Sequence, residues 1–131
     1  MRLTQDTSCI VAYLTKELNW HEISVYLGSA EQLIVGEATL LEANLVLYGR
    51  SLPGDEMLGI LLREASIRRE AFQQIHFELA TTALVKYGKG RHPARLNFGD
   101  CMSYATAKVA DAPLLYCGDD FGKTDLNCIR V

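Results

Sequence analysis

The acidic residues that could carry chemistry in this chain stand at turns, where predicted strands end or predicted helices begin. Asp6 follows a short strand, Glu42 lies near the start of an apolar segment, and Asp100 opens a later one in the stretch LNFGDC. Asp119 and Asp120 follow another strand. Any one of them can be explained as a helix cap, because a carboxylate at a helix N-terminus gains about 0.3–1 kcal/mol.

As a set, these acids indicate more than capping. Several carboxylates gathered within a few ångströms repel one another, and their pKa values rise unless a cation neutralises them. Oxygen ligands without histidine or cysteine at matching positions favour Mg²⁺ or Mn²⁺ over zinc. A divalent ion held in this way activates a water and neutralises the charge that builds on a phosphoryl oxygen. The acids therefore predict metal-assisted hydrolysis of a phosphodiester.

A basic segment precedes Asp100. Residues 86–95, KYGKGRHPAR, contain four of the 13 lysines and arginines of the chain and no acid. The four are Lys86, Lys89, Arg91 and Arg95. One interpretation is a strip that contacts a phosphate backbone, whose affinity falls with salt; the other is an ordinary solvated loop.

The elements that must position these residues follow from the hydrophobic pattern. Strands are predicted at 2–5, 33–35, 66–69 and 114–117, with an edge strand near the C-terminus. Helices are predicted at 8–18, in the segment HEISVYLGSA, at 38–48, 56–64 and 73–87, and from about Asp100 onward. The first helix is expected to bury Ile10, Val11, Leu14 and Leu18 on one side.

Strands that alternate with helices predict a mainly parallel sheet covered on both faces, that is, a three-layer α/β/α sandwich. A chain of 131 residues fits a single domain, residues 1–131. In such folds, ligands bind beyond the carboxyl ends of the strands. We therefore expect the acids to meet at one edge of the sheet.

Composition limits the classes of protein that are possible. The net charge of −3 argues against nonspecific binding of nucleic acid over the whole surface. The four cysteines form no CxxC pair, so we expect reduced thiols that act as small, largely buried hydrophobes. The N-terminal residues fit neither a signal peptide nor a membrane span, which predicts a cytoplasmic protein without a membrane contact.

Four segments carry a family resemblance: DTS after the first strand, ATLLEA around Glu42, KYGKGRHPARLNFGDCMSYATAK around Asp100, and PLLYCGDDFGKTDL near the end. In this order and spacing they resemble the PIN-domain ribonucleases, specifically the VapC-type toxins of bacterial toxin–antitoxin modules. The resemblance runs over nearly the whole chain. It implies a PIN-like sandwich, a Mg²⁺- or Mn²⁺-dependent endoribonuclease, an RNA substrate, a homodimer and a small VapB-like antitoxin that silences the enzyme.

The resemblance also assigns roles to single residues. It implies that Asp6, Glu42 and Asp100 hold the metal, and that Asp120 completes the acid set, with Asp119 as the alternative. It further implies that Thr7 or Ser8, together with Asn97, positions a ligand or a water. Asp125 is the acid that it places in the outer shell of the metal.

The segment HEISVYLGSA and the helix after it are predicted to form the antitoxin groove. Ile23, Val25, Tyr26 and Leu27 are more apolar than a free surface helix requires. The alternative is a helix packed in the core, because apolar residues at helical spacing usually face a core.

Two other classes of protein compete with this interpretation. A signalling receiver domain needs paired acids after the first strand and a lysine after the last, but Asp6 stands alone and Lys123 follows the wrong turn. A catalytically inactive PIN module that only binds RNA or protein is the second. The complete acid set argues against that module, and a metal titration without binding would favour it.

Overall fold

The sheet of this protein has five parallel strands, as a computed structural model of residues 1–131 shows. The strands are β1 (Arg2–Gln5), β2 (Gln32–Gly36), β3 (Arg68–Glu70), β4 (Leu114–Tyr116) and β5 (Cys128–Arg130). Their order across the sheet is β3-β2-β1-β4-β5, and every neighbouring pair is parallel. The predicted edge strand at the C-terminus is β5.

Six helices connect the strands: α1 (Thr7–Leu14), α2 (Trp20–Ser29), α3 (Glu37–Gly49), α4 (Gly54–Glu64), α5 (Gln74–Tyr87) and α6 (Phe98–Ala110). A short 3₁₀ turn follows at Phe121–Lys123. All the predicted helices are present, with ends that differ by one or two residues except in the case of α1. None of the helices has the length and apolar character that crossing a bilayer demands.

Neighbouring residues of the central strands pack against opposite layers. Leu114 joins the core under α5 and α6, whereas Leu115 packs with Cys9 and Ile23 of α1 and α2. In β2, Val35 packs against α1, α3 and α4. Both faces of the sheet are therefore buried, and the predicted three-layer α/β/α sandwich is confirmed.

The predicted extent of the first helix is wrong. Helix α1 ends at Leu14, because Lys16 adopts a left-handed backbone conformation (φ 52°) and the Thr15 hydroxyl donates back to the Val11 carbonyl. Leu18 consequently lies fully exposed and does not join Ile10 in the core. The apolar spacing in the sequence continues to Leu18, beyond Lys16, where the backbone leaves the helix.

This topology gathers one end of several helices at a single edge of the sheet. Helices α1 and α3 follow β1 and β2, so they begin where those strands end. Helix α6 runs in the opposite sense before it enters β4, so its N-terminus lies at the same edge. Residues at the starts of these three helices are thereby brought together, which is the arrangement expected of a ligand site in a parallel sheet.

Candidate active site

A cleft of about 310 Å³ opens at the carboxyl edge of the sheet. Asp6, Glu42 and Asp100 all line it, although 36 and 58 positions separate them along the chain. Thr7 and Ser8 line it as well. Of the acids expected to converge at one edge, these three share the cleft, whereas Asp119 and Asp120 do not line it.

Asp6 is held on both carboxylate oxygens. The backbone N–H and the hydroxyl of Ser8 donate to Oδ2 over 3.1 and 2.6 Å, and the Ser103 hydroxyl donates to Oδ1 over 2.6 Å. Asp6 is therefore the N-cap of α1 and has a fixed orientation in addition. The sequence reasoning missed Ser103, whose position three residues after Asp100 on the same helix was the available signal.

Glu42 has little room to move. The hydroxyl of Thr7 donates to its Oε1 atom, and the backbone of Gly99 packs directly against the carboxylate, where a Cβ atom would collide with it. Burial raises the pKa of Glu42, the Thr7 hydrogen bond lowers it and the charge of Asp6 raises it, with a net increase. The glycine in LNFGDC therefore has a steric role beside the acid cluster.

Asp100 and Asn97 form a reciprocal cap at the start of α6. The Asn97 backbone N–H donates to Asp100 Oδ2 over 3.0 Å, and the Asp100 N–H donates to Asn97 Oδ1 over 2.9 Å. Burial is the largest effect on the Asp100 carboxyl and raises its pKa to about 7, even though the Asn97 hydrogen bond lowers it. The charges of Asp6, Asp120 and Glu42 raise it further.

The two acids of GDDF differ in their surroundings. Asp119 is exposed and pairs with Arg130 over 2.8 Å. Asp120 contributes to the raised pKa of Asp100, so its charge acts on the cleft. Of the two, Asp120 is the one that belongs electrostatically to the cluster.

Asp125 belongs to a separate network. It accepts hydrogen bonds from the Tyr104 hydroxyl over 2.8 Å and from Lys108 over 2.9 Å. Burial raises the pKa of its carboxyl, but these hydrogen bonds outweigh burial and lower it overall. Asp125 therefore fastens the last loop to α6 and does not line the cleft.

The donor set suits a hard divalent cation. The cleft presents carboxylate oxygens, and two of its acids have raised pKa values, which is the condition that a positive ion relieves. In the arrangement seen, no three His, Cys, Asp or Glu side chains stand close enough to hold one ion together. Hydrogen bonds from Ser8, Ser103 and Thr7 hold two of the acids separately instead.

The comparison with known proteins is decisive for the family. Residues 5–127 match the PIN domain. This chain belongs to the PIN-domain family. Its relatives include Ribonuclease VapC30 of Mycobacterium tuberculosis, 37% identical over 127 residues, which cover 96% of this chain and 97% of that protein. Ribonuclease VapC of Mycolicibacterium smegmatis is 38% identical over 126 residues, 95% and 98% of the two chains. Within the family, the chain is a VapC-type ribonuclease.

Solved structures agree on the fold. Mycobacterium tuberculosis VapC20, described as a Sarcin-Ricin loop cleaving toxin, superposes with a TM-score of 0.75 at 17% identity and covers 95% of both chains. VapBC2 from Rickettsia felis, bound to a DNA fragment from its promoter, gives a TM-score of 0.72 at 15% identity over 100% of this chain and 99% of that one. The predicted PIN-like sandwich and the predicted family are confirmed.

The basic segment of this PIN domain begins in the last turn of α5, at Lys86, and continues as an exposed loop. Lys86, Lys89, Arg91 and Arg95 are all exposed, and none takes part in an ion pair. Buried Ala94 and Leu96 anchor the loop, and the Leu96 and Tyr87 backbones are hydrogen-bonded over 2.9 Å. Three of the cations are thus displayed on an anchored loop that leads directly to Asp100, and Lys86 precedes them at the end of α5.

Two features of the VapC cleft were not foreseen from the sequence. Arg50, at the end of α3, lines the cleft in an ion pair with Glu17 at 3.2 Å. Cys117 lines it too, and its sulfur lies 3.6 Å from that of Cys9. The pKa of Cys117 is lowered to about 7, first by the hydrogen bond with Cys9 and then by one from Asn19. Together they outweigh burial, which raises it. All four cysteines are free thiols, and Cys9 and Cys101 are fully buried.

The segment HEISVYLGSA is divided between the two predicted roles. Ile23 is buried in the core, so the core alternative holds for that residue, while Val25 is exposed. Leu27 lines a cleft of about 450 Å³ between α1, α2 and α4. Helix α4, and not α3, supplies its far wall, through Ile60 and Leu61.

Proposed function

We propose that this VapC-type ribonuclease is the RNA-cleaving toxin of a toxin–antitoxin pair and that it hydrolyses RNA phosphodiester bonds with Mg²⁺ or Mn²⁺. Asp6, Glu42, Asp100 and Asp120 are the residues proposed to hold the ion. The observation that carries the proposal is the sharing of one cleft by Asp6, Glu42 and Asp100, where burial first and then the charges of Asp6, Asp120 and Glu42 raise the pKa of Asp100.

When bound, the ion supplies an activated water and neutralises charge on the phosphoryl oxygen. The residues of the chain hold the carboxylates in place for these two roles of the ion. Ser8 and Ser103 fix the Asp6 carboxylate, and Thr7 fixes that of Glu42, so neither acid must be reoriented when the substrate arrives. Asn97 orders the backbone at Asp100 and holds one of its carboxylate oxygens. Pre-orientation of this kind is the main contribution that a protein makes to phosphoryl transfer.

The loop after α5 is proposed to bind the RNA backbone. Its three unpaired cations and Lys86, at the end of α5, lie close in sequence to Asp100, so an RNA strand held there would present a phosphate to the acids. Substitution of Lys89 and Arg91 by alanine should reduce the salt dependence of RNA binding, by about 0.7 in the slope of log K against log salt for each phosphate that is no longer neutralised. The matched control is Arg2→Ala, which lies at the amino end of β1, opposite the carboxyl edge of the sheet. An unchanged slope in the double variant contradicts this role.

The cleft between α1, α2 and α4 is proposed to receive an apolar segment of a VapB-like antitoxin. Tyr13, Trp20, Leu27 and Ile60 give it apolar walls, and a solved structure of similar fold is a toxin–antitoxin complex from Klebsiella pneumoniae. Ile60→Asp should abolish co-purification with the antitoxin and leave RNA cleavage intact. Retained co-purification argues against this groove.

A homodimer is also proposed, formed through the face of α5 and α6. This face exposes Phe77, Leu84 and Phe98 around a groove of about 390 Å³. Exposed apolar side chains grouped around a groove are typical of protein–protein interaction sites. Sedimentation of the full chain should give a dimer that Phe77→Asp converts to a monomer, and a monomeric parent contradicts the proposal. Cytoplasmic location stays a prediction of the sequence.

The proposed chemistry is tested with purified full-length protein and a model RNA in Mg²⁺ or Mn²⁺. Asp6→Asn and Asp100→Asn should each lower the cleavage rate by at least about 10²-fold. Asp111→Asn, an exposed acid at the far end of α6 where asparagine tolerates the left-handed backbone, is the matched control. Cleavage by Asp6→Asn and Asp100→Asn at the rate of the parent and of Asp111→Asn contradicts the acid-cluster mechanism. Absence of both metal binding and cleavage in the parent favours an inactive module that only binds.

A further inference from the structure

Cys9 and Cys117 form a thiol pair at the edge of the acid cleft. Their sulfur atoms lie 3.6 Å apart although 108 positions separate them in the chain. Cys9 is buried in α1, whereas Cys117 is only partly buried and lines the cleft. Cys101 and Cys128 make no sulfur–sulfur hydrogen bond. One thiol of the pair is therefore reachable from the cleft, and the other stands directly behind it.

We propose that this pair is a modification site for hydroperoxides, with Cys117 as the thiol that is attacked first and Cys9 as the resolving thiol. The Cys117 sulfur, as thiolate, attacks one peroxide oxygen and breaks the O–O bond, which gives a sulfenic acid and, with hydrogen peroxide, water. The Cys9 sulfur then attacks the sulfenic sulfur, the S–O bond breaks and a second water leaves. In total, two thiols and one peroxide give one disulfide and two waters.

The geometry allows this bond with a small movement. A disulfide needs a separation of about 2.05 Å, so the two sulfur atoms must approach each other by roughly 1.5 Å. Asn19 donates a hydrogen bond to the Cys117 sulfur over 3.1 Å and fixes its present position. Residue 117 follows β4 in a turn, and Gly118 beside it has a positive φ of 104°, so the adjustment falls on a turn and not on a strand.

The pair is connected to the acid cluster by two hydrogen bonds. The Cys117 backbone N–H donates to the Ser8 hydroxyl over 3.0 Å, and that hydroxyl donates to Asp6 Oδ2 over 2.6 Å. A shift of residue 117 toward Cys9 therefore disturbs the group that orients Asp6. Here the inference rests on the proposed function: oxidation should slow RNA cleavage, because displacement of a catalytic group by about an ångström costs on the order of 10²-fold.

The disulfide itself is tested by mass spectrometry on the full chain. The reduced protein is treated with hydrogen peroxide, the remaining thiols are alkylated, and the digest is searched for a cross-linked peptide. We expect the loss of two hydrogen atoms and one link between residues 9 and 117, reversed by dithiothreitol. Cys128→Ser should behave like the parent. In Cys9→Ala the sulfenic acid should persist at Cys117 and be trapped by dimedone.

The opposing results are equally specific. Separate alkylation of Cys9 and Cys117 after peroxide, or a link that involves Cys101, Cys128 or a second chain, overturns the proposal. In the Cys128→Ser background, oxidation should slow cleavage of a model RNA by about 10²-fold, with recovery on reduction. A disulfide that forms without a change in rate overturns the connection to Asp6. The mass measurement requires no ribonuclease activity, so failure of the proposed function is recognised separately.

Discussion

Replacing Asp100 by asparagine should stabilise the metal-free protein while it weakens metal binding. The pKa of Asp100 is raised from 3.8 to about 7, first by burial and then by the charges of Asp6, Asp120 and Glu42. A carboxyl whose pKa is higher in the folded state favours folding while it is protonated, and this advantage is lost as the pH rises toward the folded value. Asparagine keeps the side-chain oxygen that accepts from Asn97 but carries no charge.

The magnitude follows from the shift. About three pKa units correspond to an upper limit of about 4 kcal/mol at a pH above 7. Because the Asp100 side chain is only partly buried, solvent screening reduces this to about 1–2 kcal/mol. For a chain of this size, that gain is about 3–10 °C in the midpoint of thermal unfolding. The gain should shrink as the pH falls from 7 toward 4, where the parental carboxyl becomes protonated in both states.

Thermal unfolding followed by circular dichroism in a chelator, at several pH values between about 4 and 8, measures this effect. Asp125→Asn is the matched control with the opposite sign: the pKa of Asp125 is lowered by its bonds to Lys108 and Tyr104, so this variant should be less stable at neutral pH. Added Mn²⁺ should raise the midpoint of the parent and have a smaller effect on Asp100→Asn. A variant less stable than the parent above pH 7, with an undiminished response to Mn²⁺, refutes the reasoning.

Two further substitutions test how the acids are oriented. Gly99→Ala places a Cβ atom against the Glu42 carboxylate and should lower RNA cleavage by about 10²-fold. The control is Gly49→Ala, which lies on the same helix as Glu42 and has open space around it. Equal cleavage rates for the two variants contradict the steric role of Gly99. Ser103→Ala removes the donor to Asp6 Oδ1 and should lower kcat by about 10-fold or more without changing KM. Ser103→Thr should restore the rate, and a change confined to KM argues against a positioning role.

Much of the fold could be predicted from the sequence because its signals are local. The buried strands, the alternation of strands with helices and the end of α5 at Gly88 are visible in the pattern of apolar and turn residues. The end of α1 was not predictable in the same way. Leu18 fits the apolar period, but the chain leaves the helix at Lys16 by adopting a left-handed backbone conformation for which composition gives no warning.

Asp6 and Asp100 could be found because they lie where a strand ends or a helix begins, which is where a parallel sheet binds ligands, and Glu42 follows in the second turn of α3. Their partners were harder to find. Ser103, Arg50 and Cys117 reach the cleft through tertiary packing between elements that are remote in the chain. In the sequence, nothing distinguishes Gly99 from any other residue in the first turn of a helix. Only the contact with the Glu42 carboxylate in the structure shows why a side chain does not fit there.

Calorimetric titration of Mn²⁺ into the metal-free full-length chain tests most directly whether Asp6, Glu42, Asp100 and Asp120 act as one cation site. The parent should bind the ion and release protons below about pH 7, as Asp100 becomes ionised, and Asp6→Asn and Asp100→Asn should each bind at least about tenfold more weakly. Binding of equal strength in the parent and both variants, or no binding to the parent at any pH at which it is folded, would contradict the account.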